Sequence, residues 1–344
     1  MDKYPIAARS LERPYHIDGD QFERQYKEHL SGYLGWSERE HADRWLVFPE
    51  NVGERLSVDE TSLSNGELYT VVTNKAAKGR KGAIVAIVSG TDSGVVLEAL
   101  KRIPMAVRQH VMEVTLDMAG SMGRICRLAF PNAVKVIDRF HVQKLALDAV
   151  QELRVRFRWD AMDRENEQIR QAKLSGKEYR PELLSNGDTL KQLLFRSRYL
   201  LFKSPEKWTE SQKTRARLLF DIYPDIAQAY SLSHKLRLIY SKTKTKGVAY
   251  TKLARWFNEV QKSGIDTFRT IEETIYNHYE NILNFFDNRS TNASAESFNA
   301  KIKAFRRQLR GVSDVRYFLF RLCIVSMPDH FLTQGFPGDP VFVS

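Results

Sequence analysis

The 344-residue chain has only two cysteines, Cys126 and Cys323, far apart and without cysteine neighbours. That excludes a disulfide framework and a cysteine-based zinc site, and reads both as ordinary buried thiols. No apolar run approaches the roughly 20 residues that a bilayer span needs. Residues 1–21 are polar and lack the hydrophobic segment of a secretory signal, so a cytoplasmic protein with no membrane contact is expected. Internal repeats and low-complexity tracts are also missing.

Acids are the scarcer charge: 42 Asp and Glu stand against 53 Lys and Arg, a net charge of +11. A basic excess suits a polyanionic partner, because each phosphate neutralised by Lys or Arg releases counterions. Its distribution says more than its size. Residues 289–321 hold eight Lys or Arg and two acids, a local concentration expected of a binding surface. Hydrophobic residues make up 42% of the chain, enough for a real core in one large domain or two ordinary ones.

The first fifty residues contain one amphipathic helix candidate, with Phe22, Tyr26, Leu30 and Tyr33 at helical spacing, then a Trp-rich connector through Trp36 and Trp45. Strand signals follow at 55–63, 68–73 and 83–89, the last two joined by a Gly- and Lys-rich tip holding Lys75, Lys78, Arg80 and Lys81. A helix at 92–102, a strand at 111–118, a helix at 120–130, a strand at 133–138 and a long helix from 140 complete the order βββαβαβα. That is the order of a ribonuclease H-like α/β fold, a mixed sheet covered by helices. From 154 to 285 the texture becomes all-helical, and a patterned helix at 294–310 and another at 314–325 return afterwards. The expected division is a connector (1–50), the first part of the core (51–153), a helical insertion (154–285), a returning catalytic helix with a last core helix (286–325), and a tail (326–344).

In such a sheet Asp59 lies within the first strand and Asp117 at the C-terminal end of the fourth. These strands are neighbours, so the two carboxylates can face each other, while Glu296 stands on the late helix that packs beside them. Three carboxylates within about 5 Å repel by roughly 3 kcal/mol per pair at an effective dielectric near 20, so the set makes sense only around cations. Oxygen ligands suit Mg²⁺ or Mn²⁺, and two such ions about 4 Å apart serve phosphodiester chemistry. A lone acid is ordinarily a solvated surface charge. Placement in buried strands weighs against that for Asp59 and Asp117, whereas Glu60 points to the opposite face by alternation and reads as structural.

On the late helix Glu296, Asn299, Lys303, Arg306, Arg307 and Arg310 share one face, and Phe298, Ile302, Phe305 and Leu309 another. A single acid leading a basic stripe suits a phosphate backbone with metal at one end. The plain alternative is a solvated helix face. Lys78, Arg80 and Lys81, and the basic loop 242–246, are further candidates for phosphate contact. Trp159, Trp208 and Trp256 read as core residues first and as base-stacking groups second.

Three ordered blocks carry a family resemblance. The first is Leu116-Asp117-Met118, then Phe130-Pro131-Asn132-Ala133, then Val136-Ile137-Asp138-Arg139-Phe140-His141-Val142. The second comprises Lys207-Trp208-Thr209-Glu210-Ser211-Gln212, Tyr223-Pro224, Ala229-Tyr230, Trp256 and Ser263-Gly264-Ile265. The third is Thr291-Asn292-Ala293-Ser294-Ala295-Glu296-Ser297-Phe298-Asn299-Ala300-Lys301-Ile302-Lys303. Together, over roughly 56–323, they resemble the DDE transposases of bacterial insertion sequences, of the ISL3 type. The resemblance implies Asp59, Asp117 and Glu296 as catalytic acids and metal ligands, two Mg²⁺ or Mn²⁺ ions, and cleavage and strand transfer of transposon-end DNA by a nucleoid-associated homo-oligomer. Asp138 and His141 would form a supporting D-x-x-H motif; His141 would orient a carboxylate or contact the scissile phosphate, or cap local structure. A structure-specific nuclease such as a junction resolvase, and an inactive descendant that only binds DNA, are the alternatives. The late helix and long insertion weigh against the first, and the intact acids against the second. Members of the family commonly carry an N-terminal zinc motif and a helix-turn-helix, which the 58 residues before Asp59 do not match. End recognition by a separate protein is therefore expected.

Overall fold

The computed structural model describes residues 6–64, 66–309 and 311–326. Arg310 and the 327–344 tail lie outside the described residues. The chain forms two compact units, Met1–Asp138 with Ser290–Ser344, and Arg139–Arg289.

The first unit is a mixed α/β structure built on six strands: β1 (Trp45–Val47), β2 (Arg55–Ser64), β3 (Glu67–Asn74), β4 (Ile84–Ser89), β5 (Glu113–Leu116) and β6 (Val134–Ile137). Their order across the sheet is β1-β4-β3-β2-β5-β6. β4, Ile-Val-Ala-Ile-Val-Ser, is buried on both faces from Ile84 to Val88, as befits a continuous apolar run rich in β-branched residues. β2 and β3 form an antiparallel hairpin, with Gly66 at φ 88° and a register shift between Ser62 and Ser64 where the strands meet. β5 and β6 are parallel to β2, and parallel neighbours require crossovers. Helix Gly120–Ala129 supplies the last one, burying Met122, Ile125, Cys126 and Ala129. Helix Ser93–Leu100 stands earlier, between β4 and β5, its N-terminus capped by the Asp92 carboxylate, which accepts from the Gly94 and Val95 amides.

Alternation along β2 puts Ser57, Asp59, Thr61 and Leu63 on one face and Leu56, Val58 and Glu60 on the other. Two returning helices, Ala293–Gln308 (the site helix) and Val315–Ser326, cover the Asp59 face. Leu63, Tyr69, Val71, Ile84 and Ile87 from the sheet join Phe298, Ile302 and Phe305 of the first helix and Phe318, Leu319, Leu322 and Cys323 of the second in one core. The β3–β4 tip lies against the site helix. Gly79, at φ 69°, has Ser297 so close that an added Cβ would come within 3.2 Å of its Oγ, and the Lys301 ammonium donates to the Gly79 carbonyl.

The five strands read from hydrophobic runs are present, with ends moved by a few residues. β1 is new: the Trp-rich connector contains a three-residue edge strand paired with β4 through Trp45–Val88, Leu46–Ile87 and Val47–Ala86. The single helix expected near Tyr26 is divided into helix Gly19–Gln25 and a π-helical turn Tyr26–Leu30. Tyr26 and Tyr33 are buried with Tyr317, Phe320 and Ile324, whereas Leu30 is exposed.

Among its described residues the second unit has helices as its only regular elements, beginning with the 36-residue helix Arg139–Leu174. Its helix starts are written locally: Thr189 with Gln192 and Thr209 with Gln212 form reciprocal capping boxes, and Pro224 occupies a first turn. Gly264, at φ 64°, ends helix Lys246–Ser263. Trp256 is fully buried and donates its indole N–H to the Leu232 carbonyl at 2.9 Å, and Trp208 donates to the Leu200 carbonyl at 2.8 Å. Trp159 is exposed. Of the basic loop, Lys246 is tied to Asn284 and Asp287.

Candidate active site

Strand register builds the acidic site. β2 and β5 pair from Arg55–Glu113 to Ser57–Thr115 and then part. Asp59 and Asp117 each stand two residues beyond that last pair, on the same face by alternation. β6 continues the row: Leu116 pairs with Ile137, and the next residue, Asp138, donates its amide to the Leu116 carbonyl at 3.1 Å. Three aspartates thus mark the region where three adjacent strands cease to pair. Asp138 is buried, and Asp59 and Asp117 are half-buried.

The site helix reaches this row through Asn299, whose Nδ2 donates to Asp59 Oδ2 at 2.7 Å. Asp59 Oδ1 accepts from the Glu60 amide at 2.9 Å, and Asp117 Oδ1 from the Met118 amide at 2.5 Å. Glu296, one turn before Asn299, is exposed. Glu60 feels the cluster from its own side of β2: burial raises its carboxyl above the usual range, and the negative charges of Asp117 and then Asp59 push it the same way.

Behind the aspartates, on the same face of β5, lies a second polar group that the sequence did not announce. The Lys75 ammonium donates to Thr115 Oγ1 at 2.7 Å, Ser290 Oγ at 2.9 Å and Glu113 Oε1 at 3.2 Å, and the Ser290 hydroxyl also donates to Glu113. Burial depresses the affinity of Lys75 for its proton, while Glu113 and, more weakly, Asp138 oppose that shift. Lys75 belongs to the basic tip in sequence, yet its charge is turned inward.

The chemistry of the acidic row suits a hard divalent cation, since all its donors are carboxylate or amide oxygens. The buried Oδ1 of Asn299, beside Asp59, finds no hydrogen-bond donor among the described residues, which leaves an oxygen ready for such a centre. The side chains do not form a closed ligand set: no three His, Cys, Asp or Glu among the described residues approach closely enough to hold an ion.

The remaining candidates lie on three elements. Lys303 and Arg307 are exposed on the site helix and Arg306 is half-buried; Lys78, Arg80 and Lys81 are exposed at the tip. His141 stands in the first turn of helix Arg139–Leu174, in the helical unit.

A mixed sheet with aspartates where adjacent strands part, and a covering helix that carries one acid and a run of cations, defines an α/β protein with an acidic site facing a basic helix. The chain belongs to the ISL3-type family of DDE transposases, whose family model, described as transposase, matches residues 56–322. Two curated relatives, each named transposase for insertion sequence element IS1557, come from Mycobacterium tuberculosis strains CDC 1551 / Oshkosh and ATCC 25618 / H37Rv. Each is 27% identical over 257 residues, covering 74% of this chain and 55% of the relative. The chain therefore spans about half the length of the curated relatives it matches. No helix among the described residues is long and apolar enough to cross a membrane.

Proposed function

We propose that the chain cleaves transposon-end DNA and joins it to target DNA, using Asp59, Asp117 and Glu296 to hold two Mg²⁺ or Mn²⁺ ions. The observation that carries this reading is the alignment of Asp59 with Asp117 beyond the last β2–β5 pair, with the site helix tied to Asp59 by Asn299. In this reading the sheet is ribonuclease H-like: the order β4-β3-β2-β5-β6, with the last two strands parallel to β2, supports it, and β1 is an added edge. Residues 154–285 are the insertion domain and 286–325 the returning catalytic segment. The bound ions would supply Lewis-acid stabilisation of charge on the phosphate oxygens.

The chain's own groups do the rest. Asp138, buried beside Asp117, adds negative charge that favours cations at the row's end. Lys303, Arg306, Arg307 and Arg310 take the phosphate backbone of double-stranded DNA, with Lys78, Arg80 and Lys81 contributing from the tip. His141 orients a carboxylate or meets the scissile phosphate. The test is a strand-transfer assay with labelled transposon-end duplex and Mg²⁺ or Mn²⁺. Cleaved and joined products are expected; cleavage without joining would indicate a nuclease, and neither product a DNA-binding protein.

A further inference from the structure

We propose that Asn299 is a positioning residue that holds the Asp59 carboxylate in the orientation in which it takes a divalent cation. This rests on the reading of Asp59 as a metal ligand. The bond from Asn299 Nδ2 to Asp59 Oδ2, at 2.7 Å, joins the site helix to β2 across 240 residues of sequence, and a donor to a carboxylate makes one of the stronger kinds of hydrogen bond. With the Glu60 amide on Oδ1, both Asp59 oxygens are directed by fixed donors.

The setting is unusual for a surface helix. Glu296 and Lys303, one turn to either side, are exposed, yet Asn299 is 8% exposed. A buried amide needs a use for its acceptor as well as its donor, and Oδ1 of Asn299 has no donor among the described residues. A second amide repeats the pattern. Asn292 is 1% exposed, and neither its Nδ2 nor its Oδ1 has a partner among the described residues. Asn292, Glu296 and Asn299 follow i, i+4, i+7 spacing and line one side of the helix. The helix's one acid is thus flanked by two buried amides with unfilled oxygens. Mg²⁺ keeps several of its waters when bound, and those waters are hydrogen-bond donors of the kind such oxygens accept. Asparagine suits the position because it donates to Asp59 without adding charge; an aspartate there would bring a further negative group and no donor.

The experiment is calorimetric titration of Mn²⁺ into the full chain, comparing wild type, Asp59→Ala, Asn299→Ala, Asn299→Leu and Asn299→Ser, with melting temperatures measured without metal. Loss of a partner that orients a metal ligand typically weakens affinity about 10–100-fold. That loss is expected for Asn299→Ala and for Asn299→Leu, which restores volume but no donor; Asn299→Ser, which keeps a hydroxyl donor, should retain more. A purely structural Asn299 would lower the melting temperature and leave Mn²⁺ affinity as in wild type, which overturns the proposal. Wild-type affinity in Asp59→Ala, or no uptake by wild type, would overturn the ligand reading itself and the proposal with it.

Discussion

Lys75 and Glu113 form an ion pair at 3.2 Å with side chains only 13% and 4% exposed, so a cation from the basic tip is spent inside the protein. Removing one member of a buried pair leaves an uncompensated charge, at a cost of about 3–5 kcal/mol. Lys75→Met should destabilise the chain by that amount in urea unfolding. Combining it with Glu113→Gln should recover most of the loss, because the two changes share one interaction. Additive losses would show that the residues act separately.

Asp59→Ala, Asp117→Ala and Glu296→Ala should each reduce cleavage of transposon-end DNA to background while leaving DNA binding near wild type. Circular dichroism and binding isotherms check the second half of that statement. Near-normal cleavage by any of the three would remove it from the proposed triad. Asp117→Ala should also raise the melting temperature without metal, since it relieves repulsion with Asp59 and Glu60. For Asp59→Ala the gain is offset, because the Asn299 amide loses its acceptor.

The strands are legible in the sequence because their signals are local: runs such as Ile84–Ser89 declare themselves by composition. β1 stayed hidden because three residues give no period to read, and Leu46 is its one fully buried member. The placement of Asp59 and Asp117 on adjoining strands followed from topology alone. Asn299 is different. Its spacing put it on the cationic face of the helix, and only the docking of that helix turns it onto Asp59. Lys75 was hidden in the same way, since a lysine in a Gly- and Lys-rich turn looks solvated until Glu113 and Ser290, far away in sequence, are brought to it.

Lys303→Ala and Arg307→Ala should weaken duplex binding without regard to sequence. If each removes one phosphate contact, the slope of log affinity against log salt should become shallower by about 0.9 per substitution. Affinity measured from low to moderate salt decides this, and an unchanged slope would return these residues to solvent.

Both thiols should resist Ellman's reagent at pH 8 in the folded chain and react only after denaturation. Burial pushes the Cys126 thiol up to about 12 and the Cys323 thiol higher still, so almost no thiolate exists to attack. Rapid labelling of either under native conditions would contradict the packing of helix Gly120–Ala129 or of helix Val315–Ser326.

The core that covers the Asp59 face joins Leu63 to Phe298, with the whole helical unit encoded between them. On the ribosome the sheet must therefore wait for its lid. At elongation rates of 5–20 residues per second the interval is roughly 10–50 s. During that time Leu63, Val71, Ile84 and Ile87 have no helix to cover them, which makes the emerging chain a natural client for chaperones. The same interval has a protective side: Glu296 emerges only after the sheet strands and the helical unit, so a growing polypeptide that already holds Asp59 and Asp117 still lacks the third acid of the proposed triad.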